Sequence, residues 1–206
     1  MNSKNKLKKL DGQVTTCTMC EELVKSRKQP VMGYGDVNAD VLIIGEAPGR
    51  LGANETGIPF TKDKSGVLLQ KILGEIGLSE SEPESTRPKL KNVYITNIVK
   101  CNPQTQNGNN RSPSKEEIFN CSNFLQKELE IIKPSLVVTL GIPSTKIILG
   151  EKFSGNAFGK IVKTNEFSVL PIWHPAFIIR GGGSQKLTEA QYIKYFRKIL
   201  RFIPKK

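Results

Sequence analysis

Long apolar runs are missing from this chain. No stretch approaches the roughly 18 consecutive apolar residues that a membrane-crossing helix needs, so a membrane partner is not expected. The basic start, MNSKNKLKKLDGQ, is followed by no apolar segment of signal-peptide type, which predicts a cytoplasmic protein. Histidine is nearly absent, and His174 is the only one. Acids are scarce as well: 31 Lys and Arg stand against 19 Asp and Glu, a net charge of +12. No internal repeat is visible.

The basic excess is clustered. Residues 1–30 carry seven Lys/Arg against three acids, and residues 186–206 carry seven against one, so the two ends hold +10 of the +12. Clustered cations suit a polyanion, because neutralised phosphates release condensed counterions. Solvated, solubilising tails are the plainer alternative. With 206 residues the expectation is one domain spanning 1–206, a monomer, with basic tails at 1–12 and 203–206.

Short apolar runs alternate with amphipathic stretches. Strands are predicted at Asp40 to Gly45, Asn92 to Val99 and Ser135 to Leu140. A hairpin is predicted from Lys160 to Lys163 and Phe167 to Trp173. Helices are predicted at Ser65 to Leu78, from the capping box Ser114-Lys115-Glu116-Glu117 to about Lys133, near Pro143 to Leu149, and at Leu187 to Phe202. Ser79 to Lys89 reads as an exposed loop. This order predicts an α/β fold, a single-domain α/β/α sandwich with a mostly parallel central sheet. Ligands of such sheets sit at strand carboxyl ends, which is where Glu46, Asn97 and His174 fall.

Four cysteines stand out: Cys17-x-x-Cys20 ahead of an apparent helix, Cys101 after the second strand, and Cys121 inside the capped helix. In a reducing compartment two such pairs point to a four-thiolate metal site rather than to disulfides. Spacing alone leaves zinc and a [4Fe–4S] cluster both open.

Two motifs carry a family resemblance. VLIIGEAPGRLGANETGIPFTKDKSG (Val41 to Gly66) runs an apolar strand into a glycine-rich turn, and WHPAFIIR (Trp173 to Arg180) holds the histidine. Together with ITN at Ile95–Asn97, followed by Cys101, they resemble the uracil-DNA glycosylase superfamily. GEAPG and the segment after His174 look like family 4, whereas the GAN…TG…PFT.D.SG pattern looks more like family 5. The resemblance implies monofunctional excision of uracil from DNA, leaving an abasic site. It also selects a structural [4Fe–4S] cluster over zinc on Cys17, Cys20, Cys101 and Cys121.

The same resemblance implies roles at the site. Phe60 would stack on the flipped base, Asn97 would read its edge, and His174 would donate to uracil O2. Glu46, Ala47 and Pro48 would frame the base, with Glu46 or Asp63 orienting the attacking water. Phe177, Ile178 and Arg180 would reach the DNA minor groove, and Lys62 and Lys64 would meet phosphates. Some iron–sulfur relatives trap uracil-DNA covalently through a histidine in the insertion after the asparagine motif. Segment 102–114 has none, so turnover is expected. No lysine sits in a recognisable nucleophile motif, and strand cleavage is not expected.

Overall fold

A computed structural model describes residues 2–182 and 187–204. Its strands are β1 (Tyr34–Gly35), β2 (Val41–Gly45), β3 (Val93–Asn97), β4 (Leu136–Leu140), β5 (Val162–Lys163) and β6 (Ser168–Ile172). They form one sheet in the order β1-β3-β2-β4-β6-β5, with the four central strands parallel and both edge strands antiparallel.

The helices are α1 (Ser3–Thr15), α2 (Glu21–Ser26), α3 (Ala53–Thr56), α4 (Lys64–Glu75), α5 (Lys115–Ile132), α6 (Ile142–Leu149), α7 (Pro175–Ile179) and α8 (Glu189–Phe196), the last continuing as a 3-10 turn through Phe202. Successive strand residues point to opposite faces, and both faces here are covered. Val41, Ile43, Val93, Ile95, Leu136 and Val138 pack with Leu69, Ile72 and Leu73 of α4 and Tyr192 and Phe196 of α8. Leu42, Ile44, Tyr94 and Val137 pack with Leu7, Leu10 and Val14 of α1 and Phe124 and Leu125 of α5. Burial on both faces explains the unbroken apolar runs and gives the expected three-layer sandwich.

The α5 capping box forms as predicted: Ser114 Oγ accepts from the Glu117 amide at 3.1 Å, and the Glu117 carboxylate accepts from the Ser114 amide at 2.7 Å. The helix ends on Lys133 in the left-handed region (φ 52°), ahead of Pro134. Residues within the expected 1–12 tail are corrected by α1. Leu7, Leu10 and Val14 at i, i+3 and i+7 bury one stripe of it, while its lysines face outward. Of the expected 203–206 tail, Ile203 packs on the core, and residues 205–206 lie outside the described part.

Strands β2 and β4 are neighbours whose onward connections leave for opposite faces, α4 on one and α6 on the other. A crevice opens beyond the carboxyl ends of such strands. Among the described residues no helix is long and apolar enough to cross a membrane.

Candidate active site

The crevice is a cavity of about 420 Å³ lined by Glu46 to Gly49 after β2, Asn97 at the end of β3, Phe60 and Asp63, His174 and Arg180, and Asn102 to Ser112 in part. Glu46, Ala47, Pro48, Phe60, Asp63, Asn97, His174 and Arg180 thus line one cavity.

Asn97 pairs across the sheet with Gly45. A Cβ on Gly45 would lie 2.7 Å from the Phe60 ring and closer still to Asn97 Oδ1. Only glycine lets the strand end approach both groups. Asn97 is 2% exposed, and its Oδ1 is buried without a hydrogen-bond partner. A buried polar atom left unpaired is costly, so the pocket holds an acceptor awaiting a donor.

Within the Phe60–Gly66 motif, Thr61, Asp63 and Gly66 each have a local task. Phe60 adopts φ 52°. Thr61 Oγ1 donates to the Ile58 carbonyl at 2.8 Å and locks the turn. Asp63 caps α4, its Oδ1 accepting from the Gly66 amide at 2.8 Å. A Cβ on Gly66 would meet the Phe60 carbonyl oxygen at 2.7 Å, so the helix start must be bare there. Asp63 Oδ2 stands 2.7 Å from where a Gly49 side chain would begin. Burial, foremost, holds the Asp63 carboxyl above its ordinary range, against bonds from the Gly66 and Ser65 amides.

His174 is the N-cap of α7. The Ala176 amide donates to its Nδ1 at 3.2 Å. The imidazole proton therefore sits on Nε2, the nitrogen left free. Burial, and then the nearby Arg180 charge, push its pKa down to about 4, so the ring is neutral at pH 7. Its centroid lies 5.7 Å from that of Phe60. The preceding residue is clamped: Trp173 stacks between Phe158 (4.0 Å) and Phe177 (4.7 Å), and its carbonyl accepts from the Tyr192 hydroxyl at 2.6 Å.

On α7, Phe177 and Ile178 are half-buried, each with one side against the core. Ile179 and Arg180 are the exposed pair. Lys62 and Lys64 are exposed and do not line the cavity.

Sequence reasoning missed Asn102 and Asn110. Asn102, 1% exposed, donates through Nδ2 to the Pro48 carbonyl at 2.6 Å and to Asn110 Oδ1 at 2.9 Å. Asn110 Oδ1 also accepts from the Arg50 amide at 3.0 Å. The glycine-rich turn is thereby held by the loop after Cys101. The only signal was the run of amides in NPQTQNGNNRSPS.

A second, smaller pocket is lined by Cys17, Cys20, Cys101 and Cys121 together. All four are free thiols. Arg27 Nη1 donates to Cys101 Sγ (3.1 Å), the Lys100 amide to Cys121 Sγ (3.3 Å) and Asn120 Nδ2 to Cys20 Sγ (3.5 Å). Burial pushes the Cys121 thiol up to about 11 and also raises Cys101. Among the described residues, no three His, Cys, Asp or Glu side chains form a ready-made site for a metal ion.

The model of the uracil DNA glycosylase superfamily matches residues 32–200, which takes in every cavity-lining residue. The chain belongs to the uracil-DNA glycosylase superfamily. Among its relatives, a type-4 uracil-DNA glycosylase of Sulfurisphaera tokodaii is 34% identical over 91% of this chain and 82% of the relative. A type-4 enzyme of Saccharolobus solfataricus is 35% identical over 88% and 81%. A type-5 uracil-DNA glycosylase of Pyrobaculum aerophilum is 34% identical over 80% of each. Near-equal identity to both types parallels the mixed motif at Val41 to Gly66. In this superfamily member Gly45, Gly49 and Gly66 each make room for a neighbour of the pocket.

Proposed function

We propose that this protein is a monofunctional uracil-DNA glycosylase that hydrolyses the N-glycosidic bond of deoxyuridine in DNA and leaves an abasic site. The observation that carries the reading is that Asn97, whose buried Oδ1 has no partner, lines one cavity with Phe60, Glu46 and a neutral His174.

A base reached by such a pocket must leave the stack. Phe60 offers a face for it, and stacking contributes about 1–3 kcal/mol per base. Asn97 Oδ1 accepts from uracil N3–H while Nδ2 donates to O4. Cytosine presents the opposite pattern and leaves both groups unpaired. As the C1′–N1 bond breaks, its electron pair moves into the ring and charge gathers on O2. Nε2–H of His174 is the donor aimed at that oxygen, held in place before reaction and so free of reorganisation cost. Glu46 orients a water toward C1′ and takes its proton as the oxygen adds. Asp63 is assigned to the architecture, because its Oδ1 is committed to capping α4 and its Oδ2 fills the space beside Gly49. Exposed Ile179 and Arg180 take groove and phosphate contacts beside the half-buried Phe177 and Ile178.

The four-cysteine pocket suits a [4Fe–4S] cluster with a structural role, since three of the four sulfurs already receive N–H donors of the kind that stabilise thiolate ligands. When bound, the cluster ties α2 to the loop after β3. Gln104 Nε2 already donates there to the Ser26 carbonyl at 2.9 Å. The test of function is an end-labelled oligonucleotide with one uracil, treated with alkali after incubation. Breakage at uracil but not at cytosine in the same position is expected, and binding without base release would refute catalysis.

A further inference from the structure

Behind the pocket wall lies an ion pair that the proposed chemistry leaves unused. Lys100 and Glu128 side chains are 1% and 3% exposed, with Nζ and Oε2 2.7 Å apart. The ammonium also donates to Thr96 Oγ1 (2.6 Å) and to the Asn97 carbonyl (2.8 Å), which uses all three of its protons. Thr96 in turn donates to the Glu128 carboxylate at 2.9 Å. A buried ion pair is seldom more stabilising than apolar residues of the same volume. Stability alone is therefore a poor reason for placing one here.

Its position suggests another reason. Asn97 closes β3, and its Oδ1 has no partner on the pocket side, so its orientation must be set through the backbone. The main chain that follows is strapped down: Ile98 donates to the Gly45 carbonyl (3.0 Å) and Val99 to the Glu46 carbonyl (3.1 Å). The Lys100 carbonyl accepts from Val31 at 2.7 Å, and its amide donates to Cys121 Sγ. The Asn97 carbonyl itself is held by the Lys100 ammonium, anchored on α5 through Glu128.

We infer that Lys100 is a positioning residue for base recognition: its buried ammonium, clamped between Glu128 and the Asn97 carbonyl, fixes the aim of the Asn97 amide into the pocket. This rests on the reading of Asn97 as the group that meets uracil. It also makes one residue the mechanical link between the thiol pocket and the base pocket.

The test compares Lys100→Met/Glu128→Met with Glu128→Gln in the full-length protein. Readouts are single-turnover uracil release, affinity for DNA carrying an abasic-site analogue, thermal stability and visible absorption. Removing one partner of a buried pair strands a charge and destabilises, whereas replacing both with apolar groups is near neutral. The double variant is therefore expected to be the more stable of the two and Glu128→Gln the more active, because only the latter keeps the bond to Asn97. The double variant's single-turnover rate should fall on the order of a hundredfold, as for displaced but intact active-site groups, with affinity for abasic DNA and visible absorption unchanged. Activity that ranks as stability does, or a double variant as fast as wild type, overturns the inference. Should the double variant not fold, Lys100→Arg keeps the charge pair but moves the donor. The same rate loss at unchanged affinity is expected, and a wild-type rate overturns the inference. An inactive wild type would instead refute the functional reading, and an active Asn97→Ala would refute the role of Asn97.

Discussion

The Ala176 amide donates to Nδ1 of His174 at 3.2 Å, and that one bond decides which imidazole nitrogen faces the base pocket. Because His174 is the only histidine, its state can be read without ambiguity. The ring should be the Nε2–H tautomer at pH 7 in nitrogen NMR. Its carbon-bound proton should not titrate near the ordinary 6.5 but at about 4. Because the native pKa is depressed, the contribution of this group to stability is full above pH 6.5 and is lost as pH falls through about 4. Uracil release should show no acid limb near 6.5 attributable to this group.

Glu46 and Asp63 separate by what already holds them. Asp63→Ala removes the α4 cap and should cost about 1 kcal/mol of stability. Asp63→Asn keeps the capping oxygen and should retain most activity. Glu46→Gln should lower single-turnover release by about 10²–10⁴-fold, the range for a lost general base, without changing thermal stability. The reverse ranking would assign the water to Asp63.

Gly45→Ala should be far more damaging than its size suggests. The new methyl meets the Phe60 ring and Asn97 Oδ1 together. Overpacking of this kind costs about 1–3 kcal/mol, and base release should fall with it while affinity for undamaged DNA holds.

The thiol pocket makes an optical prediction. Purified under exclusion of oxygen, the protein should be brown, with broad visible absorption that Cys121→Ala abolishes. Colourless protein containing one zinc per chain would correct the cluster assignment.

Much of this was legible in the sequence where a local signal existed. The capping box at Ser114 and Glu117 announced α5, and the β-rich runs announced β2, β3 and β4, because each depends on neighbours along the chain. Helix α1 was not legible as packed structure. Its apolar stripe is only Leu7, Leu10 and Val14 among lysines, and it forms because α5 and the sheet offer a surface to cover. Helix α7 was too short for a periodic signal, and its packing leaves Phe177 and Ile178 half-buried and Ile179 and Arg180 exposed. Lys100 and Glu128 lie 28 residues apart and gave no pattern at all, since only the fold brings them into contact. Asn102 was hidden in a polar segment for the same reason: its partner, the Pro48 carbonyl, is 54 residues away.

The central claim is that one pocket, made by Asn97, His174 and Phe60, releases uracil. The most direct test is single-turnover release from an oligonucleotide with a single uracil, unpaired or opposite guanine, by wild type, Asn97→Ala and His174→Ala at matched folded concentration. Rapid release by wild type, with both variants slowed by about 10²-fold or more while still binding abasic DNA, is the predicted result. Variants that release uracil as fast as wild type would contradict the account.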